Sequence, residues 1–250
     1  MKKSLSRIYI LTKRNIKEIL RDPLSLIFTL AMPLFLEILF YFIFHNLTSQ
    51  FEMKYLAPGI VVFAESFISL FVGLLIAVDR SSSFLTRLYV SKAKSYEFIF
   101  SYALSILPIV FVQSILFFLI GGIIDTSIFS LGMIFAVILS LVTSFFFIAI
   151  GILLGTVCNE KSIGGISSII IAGQSVLSGM WFPIEGLNKG MITLMNILPF
   201  RNATMLIQNT MNGVNDIFND FLLPLIIVLA YTIVAFLTAI ILFRMKMKSK

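Results

Sequence analysis

The sequence predicts an all-α integral membrane protein with six transmembrane helices, and its composition, hydropathy pattern and charge placement each favour this fold class. Of the 250 residues, 59% are hydrophobic and only 12% are charged. A soluble domain has roughly 45–50% apolar and about 25% charged residues. A soluble core could not bury so large an apolar surplus, so the sequence predicts a chain embedded in a lipid bilayer.

Six apolar segments approach or exceed the roughly 20 residues that a bilayer-spanning helix needs. They are residues 24–44, 60–78, 98–124, 128–157, 164–180 and 221–243. The third and fourth meet at Asp125–Ser127, which is too short for a domain and predicts a tight helical hairpin. Pro58 is expected in the first turn of the second span, where its missing N–H leaves no helical bond unmade. Residues 1–250 are therefore predicted to form a single transmembrane domain.

The distribution of positive charge predicts the orientation of these spans. Only Lys54, Lys189 and Arg201 of the 19 Lys and Arg residues fall in segments on one side of the six spans. The other sixteen lie before the first span, in the even-numbered connections, or after the last span. The positive-inside rule then places both termini in the cytoplasm. We expect a multi-pass protein of a bacterial cytoplasmic (plasma) membrane.

Two further segments are predicted to contact the bilayer without crossing it. Residues 4–22 segregate apolar and basic residues onto opposite helical faces, which is typical of an interfacial helix. A basic flank that merely sets topology is the alternative. Residues 182–200, with Phe182, Pro183 and Pro199, have no apolar run long enough to cross the bilayer. They predict a re-entrant or interfacial helix pair on the external side.

The residue types that carry catalysis or bind metals are sparse. His45 is the only histidine, so a two-histidine metal site is excluded, and Cys158 has no histidine to activate it. The G-x-x-x-x-G-K-[ST] phosphate loop is missing as well. We predict that the chain is not an enzyme, binds no cofactor or metal, and has no nucleic-acid partner, because its positive charge follows the membrane topology.

Two carboxylates stand inside the predicted spans. A charged Glu37 or Glu65 exposed to lipid would cost at least about 2.5–3.5 kcal/mol, so both are expected to face protein or a wet cavity. One hypothesis is that they line a translocation path or gate together with Gln174. The alternative is hydrogen bonding between helices that only holds the bundle together.

The connection between spans two and three, residues 80–96, predicts a short helix with an exposed apolar face. Phe84 and Leu88 are spaced i, i+4, Leu85 and Tyr89 lie beside them, and Arg87 lies between. Such a face is suited to a groove on a partner protein. A solvated loop whose aromatic side chains dip into the interface is equally compatible with the residues alone.

These segments, in this order, resemble the membrane subunit of a type-2 ABC exporter, the permease family of many bacterial drug, antibiotic and polysaccharide efflux systems. Four stretches carry the resemblance along essentially the whole chain. They are the amphipathic start ending in "RDP" (Arg21–Pro23), "YLAPGIVVF" (Tyr55–Phe63), "DRSSSFLTRLYVS" (Asp79–Ser91) and "LSGMWFPIEGLNKGMITLMNILPF" (Leu177–Phe200). The chain departs from the family pattern at Ser83, Lys92 and Asn188, which stand where glycine, proline and proline are usual.

The resemblance implies a function and partners. A cytoplasmic ATP-binding subunit dimer, which would hold the ATP and Mg²⁺, is expected to contact a coupling helix with Arg80, Phe84, Leu85, Arg87, Leu88 and Tyr89. A second copy of the permease, or a sister permease, would enclose a path for a hydrophobic or amphipathic substrate. The external segment would cap the exit, with Glu37 and Glu65 near an extracellular gate.

Two functions of other classes remain open at this point. An ion-gradient-driven carrier or channel could use Glu37 and Glu65 to bind protons or cations, although the inverted internal repeat common in such carriers is not evident. A membrane assembly factor would transport nothing. ATP dependence separates the three functions.

Overall fold

The helices follow one another with short connections throughout the described chain. The structure is a computed structural model and describes residues 2–82, 94–182 and 184–248. Its α-helices are α1 (Lys2–Ile19), α2 (Pro23–Phe44), α3 (Met53–Ser81), α4 (Ser95–Ile124), α5 (Leu131–Val157), α6 (Glu160–Leu177), α7 (Lys189–Ile197), α8 (Pro199–Asn212) and α9 (Leu223–Lys248). Three 3₁₀ turns (Ser49–Phe51, Thr126–Ile128 and Ile184–Gly186) and one π-helical turn (Ile217–Leu222) complete these elements. The predicted all-helical architecture is confirmed for the described residues.

Five of the described helices are long and apolar enough to cross a membrane. They cover Leu26–Phe44, Met53–Ser81, Ser95–Ile124, Leu131–Val157 and Ile217–Lys246. The fifth predicted span, residues 164–180, corresponds to α6, which has 18 residues and is not among the five. Polar and small residues, including Ser167, Ser168 and Gly173, lower its hydropathy. The six-span count therefore stays a prediction.

Helix α3 lies at the centre of the bundle. It packs against α2, α4, α5, α6 and α8. In its most apolar stretch 78% of the residues are buried, compared with 17% for α2 and 22% for the last span. Since most apolar side chains of α2 and α9 are exposed or only partly buried, these two helices form much of the outer surface of the described bundle.

Pro58 lies inside α3 rather than in its first turn, so the prediction that it stands in the first turn is wrong. The helix begins at Met53. A proline cannot donate to the carbonyl four residues earlier, and the freed Lys54 carbonyl accepts a hydrogen bond from Asn212 Nδ2 at 3.0 Å. Gln208 Nε2 donates to the next carbonyl, that of Tyr55, at 2.8 Å. Helix α8 thus compensates for the proline, which allows α3 to continue through it.

Glycines bring α3 and α5 into close contact. A Cβ atom on Gly151 would lie 2.7 Å from the Ser69 carbonyl oxygen, and one on Gly155 would lie 2.7 Å from the Gly73 carbonyl oxygen. Real Cβ atoms do not approach that closely, so only glycine permits this separation. The G-x-x-x-G pattern of Gly151 and Gly155 thus allows close approach of the two helices.

Candidate functional site

The end of α3 that leads into residues 83–93 carries a buried carboxylate. Asp79 is 1% exposed, and both of its oxygens accept hydrogen bonds from the Arg14 guanidinium of α1 at 2.5 Å. The Tyr102 hydroxyl of α4 donates to Asp79 Oδ2, also at 2.5 Å. A carboxylate in a bidentate pair with arginine has a fixed orientation as well as a compensated charge. We call Arg14, Asp79 and Tyr102 the Asp79 cluster.

Glu18 borders the Asp79 cluster on the α1 side. It forms an ion pair with Arg14 one helical turn away. Partial burial and the nearby Asp79 carboxylate raise the pKa of Glu18, although Arg14 acts in the opposite direction. Arg14 therefore pairs with two carboxylates. Its contact with Asp79 is bidentate, because both terminal guanidinium nitrogens donate to that carboxylate.

Arg80, the residue after Asp79, joins α3 to the end of α5. The Arg80 guanidinium donates to the backbone carbonyls of Thr156 and Cys158 at the C-terminal end of α5. The last carbonyls of a helix have no partners within the helix, and a cation there also interacts favourably with the helix dipole. Ser81 adds a hydrogen bond to the Glu160 carboxylate at the start of α6.

Helix α1 is fixed along its length to the start of α4. Arg7 forms an ion pair with Glu97 at 3.3 Å, and the same carboxylate accepts from the Lys94 backbone N–H at 3.0 Å. Thr12 Oγ1 donates to the Ser101 carbonyl at 3.4 Å. Since the Asp79 cluster joins the middle of α1 to α3 and α4, a displacement of the α3 end would move α1 as well.

Arg80 is the one predicted coupling residue in the part of the chain that the structure describes. Phe84, Leu85, Arg87, Leu88 and Tyr89 lie outside the described residues. Sequence reasoning treated Arg80 as a surface contact and did not identify Arg14, Asp79 or Tyr102. The sequence does contain a signal for this cluster. Asp79 follows an apolar run without a break, and a carboxylate in that position needs a cation nearby.

Glu65 of α3 is buried where this helix packs against α5. Its Oε1 accepts a hydrogen bond from Thr143 Oγ1 at 2.9 Å, whereas Oε2 has no hydrogen-bond partner among the described residues. The Ser114 and Ser140 hydroxyls bond to each other at 2.7 Å across the α4–α5 interface. The buried amide of Gln113 also lacks a described partner.

Glu37 and Gln174 occupy separate positions. Glu37 of α2 is fully buried against α4, where its Oε1 would be 3.1 Å from a Cβ on Gly121. Neither Glu37 oxygen has a described hydrogen-bond partner. Gln174 Nε2 of α6 donates to Thr204 Oγ1 of α8 at 3.2 Å. Within the described chain the three predicted path residues thus contact three different helices.

A comparison with protein families identifies the chain. Residues 6–212 match the family model described as ABC-2 type transporter. The chain belongs to this family, as a membrane permease subunit. A similar protein is "Putative transport permease ycf38" of Cyanophora paradoxa, which is 32% identical over 151 residues. The matched region covers 58% of this chain and 50% of that relative, so the chain spans about half of the relative's length.

The membrane domain of ABC-2 transporters has no ATPase site of its own. ATP is hydrolysed by an ATP-binding subunit with which permeases of this family pair. The prediction that this chain is not an enzyme is therefore confirmed. It is a multi-pass membrane protein.

The end of the ABC-2 permease opposite the Asp79 cluster holds an aromatic cluster around Trp181. The indole ring lies 4.6 Å from the Phe40 ring and 5.9 Å from the Phe63 ring, centroid to centroid. Its Nε1 donates to Ser175 Oγ at 2.7 Å. Phe182 follows, partly buried, and Pro183 lies outside the described residues, whereas Pro199 is buried as the first residue of α8. Trp181, which directly precedes the predicted external segment, is therefore packed against α2 and α3.

Proposed function

We propose that this ABC-2 permease is the membrane subunit of an ATP-driven exporter that moves an amphipathic or lipid-like compound, such as a drug, antibiotic, peptide or lipid, across a bacterial cytoplasmic membrane. Efflux of this kind would contribute to antibiotic resistance. The observation that carries the proposal is the attachment of Asp79 and Arg80. These two residues lie where α3 leads into the predicted coupling segment, and they bind α1, α4 and α5. A push on the segment that follows would reach three helices at once.

The proposed topology has six spans with both termini in the cytoplasm. Helix α6 would be the fifth span, although it is the shortest and most polar of the six. Support comes from charge, because the α1 end of the bundle collects most of the Lys and Arg residues. Helix α1 would then lie in the inner membrane surface, while α7 and the start of α8 would form the external re-entrant segment with Phe182, Pro183 and Pro199.

The proposed assembly contains two permeases and two ATP-binding subunits. The second permease is either another copy of this chain or a sister permease, and the exposed apolar faces of α2 and α9 leave room for it. Each coupling helix would insert Phe84 and Leu88 into an apolar notch of an ATP-binding subunit, with Leu85 and Tyr89 beside them. Arg87 would meet an acidic surface of that subunit. ATP and Mg²⁺ bind in the partner, and closure of its dimer would rock the permeases.

Glu37, Glu65 and Gln174 are proposed to belong to the translocation path or its external gate. Each of the three has at least one buried side-chain oxygen without a described hydrogen-bond partner, which supports a role beyond static packing. A residue of a translocation path that is buried in one conformation of the transporter must be exposed to water or substrate in another. Movement of α2 and α3 relative to α4 and α5 would expose both carboxylates.

Copurification tests the proposal. The tagged permease would be isolated from native membranes in mild detergent, and wild type would be compared with Phe84→Ala/Leu88→Ala. We expect an ATP-binding subunit with the wild-type chain and at least tenfold less with the double variant. Phe218→Ala/Leu222→Ala is the matched control, because it removes the same residue types at the same i, i+4 spacing from exposed positions outside the proposed contact.

Three other results are informative. Equal copurification with the wild type and with Phe84→Ala/Leu88→Ala would place the contact elsewhere and refute the assignment of the coupling helix. Loss of the partner with the control variant alone would have the same meaning. If no ATPase copurifies and transport persists when the partner ATPase is inactivated, the exporter is rejected. Dependence on a proton gradient would then favour the carrier with Glu37 and Glu65, and the absence of any transport would favour an assembly factor.

A further inference from the structure

Three adjoining cavities form one continuous tract along the outside of α3. The first is an open basic pocket of about 620 Å³ on α1. It shares Glu18 and Arg21 with a second cavity of about 220 Å³ between α1 and α3. The second shares Phe71 and Leu74 with a third cavity of about 260 Å³ between α2 and α3. A single elongated ligand could therefore touch all three.

The first cavity is rich in cations. Lys13 and Lys17 of α1 and Arg21 in the turn that follows are spaced four residues apart and share this pocket with Arg14. Arg14 is engaged by Asp79 and Glu18, whereas Lys13 and Lys17 form no ion pair within the described part of the chain. Asp22 lies at the junction with the second cavity. Cations therefore outnumber the remaining acids, which suits an anionic group.

The second and third cavities form an apolar groove. Its floor is one stripe of α3 that includes Phe67, Leu70, Phe71, Leu74 and Val78. From Phe67 to Val78 the helix rises about 16 Å at 1.5 Å per residue. One leaflet of the hydrocarbon core is about 15 Å thick. The groove thus has the length of an acyl chain and begins where the basic pocket ends.

We propose that one anionic phospholipid binds in this tract, with its phosphate among Lys13, Lys17 and Arg21 and one acyl chain along the α3 stripe. Charge complementarity selects an anionic headgroup, and the depth of the groove selects a lipid over a soluble anion. Phe28 of α2, 69% exposed, borders the groove on its open side, so the second chain can remain in the bilayer. This inference concerns lipid binding and does not depend on export.

Native mass spectrometry of the full-length permease tests the site. The protein would be washed in detergent, supplied with phosphatidylglycerol or phosphatidylcholine, and analysed for retained lipid. We expect the wild type to retain about one phosphatidylglycerol per chain in preference to phosphatidylcholine. Lys13→Gln/Lys17→Gln/Arg21→Gln should lower that occupancy at least tenfold, since each cation near a surface contributes about 1 kcal/mol toward an anionic lipid.

Controls separate the site from bulk charge. Lys161→Gln/Arg244→Gln/Lys246→Gln removes three cations that do not line the tract and should leave the occupancy unchanged. Leu74→Trp should fill the groove and lower phosphatidylglycerol retention, whereas Leu237→Trp on the exposed side of α9 should not. The charge-conserving variant Lys13→Arg/Lys17→Arg should retain the lipid. If the triple glutamine variant does not fold, the comparison of Leu74→Trp with Lys13→Arg/Lys17→Arg tests lipid binding in the tract instead.

Several results would overturn the proposal. Equal lipid loss from the two triple variants would mean general electrostatic attraction. Unchanged retention in Leu74→Trp would mean that the groove is not occupied by the acyl chain. A Leu74→Trp variant that alters the oligomeric state instead of lipid retention would mean that a second copy of the chain covers the groove. Retention of both lipids alike by the wild type would exclude recognition of the headgroup.

Discussion

At the scale of single residues, Asp79 of α3 joins three helices through side-chain hydrogen bonds to α1 and α4. One buried carboxylate accepts two hydrogen bonds from α1 and one from α4. Leaving such a group without a partner costs more than the net contribution of the bonds that satisfy it, because the charge stays buried. The cluster therefore holds α1, α3 and α4 in one arrangement.

Removal of the Tyr102 hydroxyl tests the Asp79 cluster with little change in shape. Tyr102→Phe should destabilise the permease by about 1.5–3 kcal/mol, the usual contribution of a hydrogen bond to a charged group. The measurement is thermal unfolding of the detergent-solubilised protein. Tyr96→Phe is the control, because its hydroxyl meets Ser4 at 3.2 Å near the surface and should matter less. Equal melting temperatures for Tyr102→Phe and wild type would contradict the assigned geometry.

Amide replacements test the buried carboxylates. Glu65→Gln can still accept from Thr143, and Glu37→Gln keeps its shape, so both variants should fold with melting temperatures within about 3 °C of wild type. If the residues act in the path, export by vesicles that contain the complete transporter should fall several-fold. Unchanged export in the variant with both substitutions would reduce Glu37 and Glu65 to packing residues.

At the scale of helices, the contact between α3 and α5 depends on backbone proximity. Gly155→Ala should destabilise the permease by about 1–3 kcal/mol, because the new methyl group would meet the Gly73 carbonyl and the Ile76 side chain at 2.7 Å. Gly165→Ala on α6 is the matched control. It has nothing within 4 Å of the new methyl group and should be neutral or stabilising by up to about 1 kcal/mol. The reverse order of melting temperatures would refute the packing.

Much of the helical architecture could be predicted at this scale, but not its interruptions. Apolar length and the "RDP" break indicated α1 and α2, and the helix pair at 182–200 was expected from its lack of a long apolar run. The prediction failed at Pro58, where the Asn212 side chain of α8 binds the one carbonyl that the proline leaves free, that of Lys54. A local rule about proline cannot predict a hydrogen-bond donor that lies 158 residues along the chain from the carbonyl it binds.

The site was less predictable than the fold for a related reason. Arg80 was expected to face a partner protein, yet its guanidinium binds the carbonyls at the end of α5. Arg14 belongs to the predicted interfacial helix, yet its guanidinium binds Asp79. Helical periodicity specifies which residues share a face, but it does not specify which other helix that face will meet.

At the scale of the whole molecule, the positive charge is concentrated at one end of the bundle, and this predicts its orientation. In a Cys158→Ser background, Asn46→Cys should react with a membrane-impermeant maleimide in intact cells, because Asn46 is exposed in the predicted external loop. Lys161→Cys, exposed at the other end, should react only after the cells are opened. Labelling of Lys161→Cys in intact cells would invert the topology.

The aromatic cluster gives this permease a built-in optical reporter. Trp181 is the only tryptophan in the chain, and its indole is held between phenylalanine rings with a single hydrogen bond to Ser175. Tyrosine absorbs and emits at shorter wavelengths than tryptophan. Fluorescence excited at the red edge of indole absorption therefore reports on Trp181 alone. A transport cycle that parts the segment after α6 from α2 would admit water to the ring and shift its emission to the red, without any dye attached.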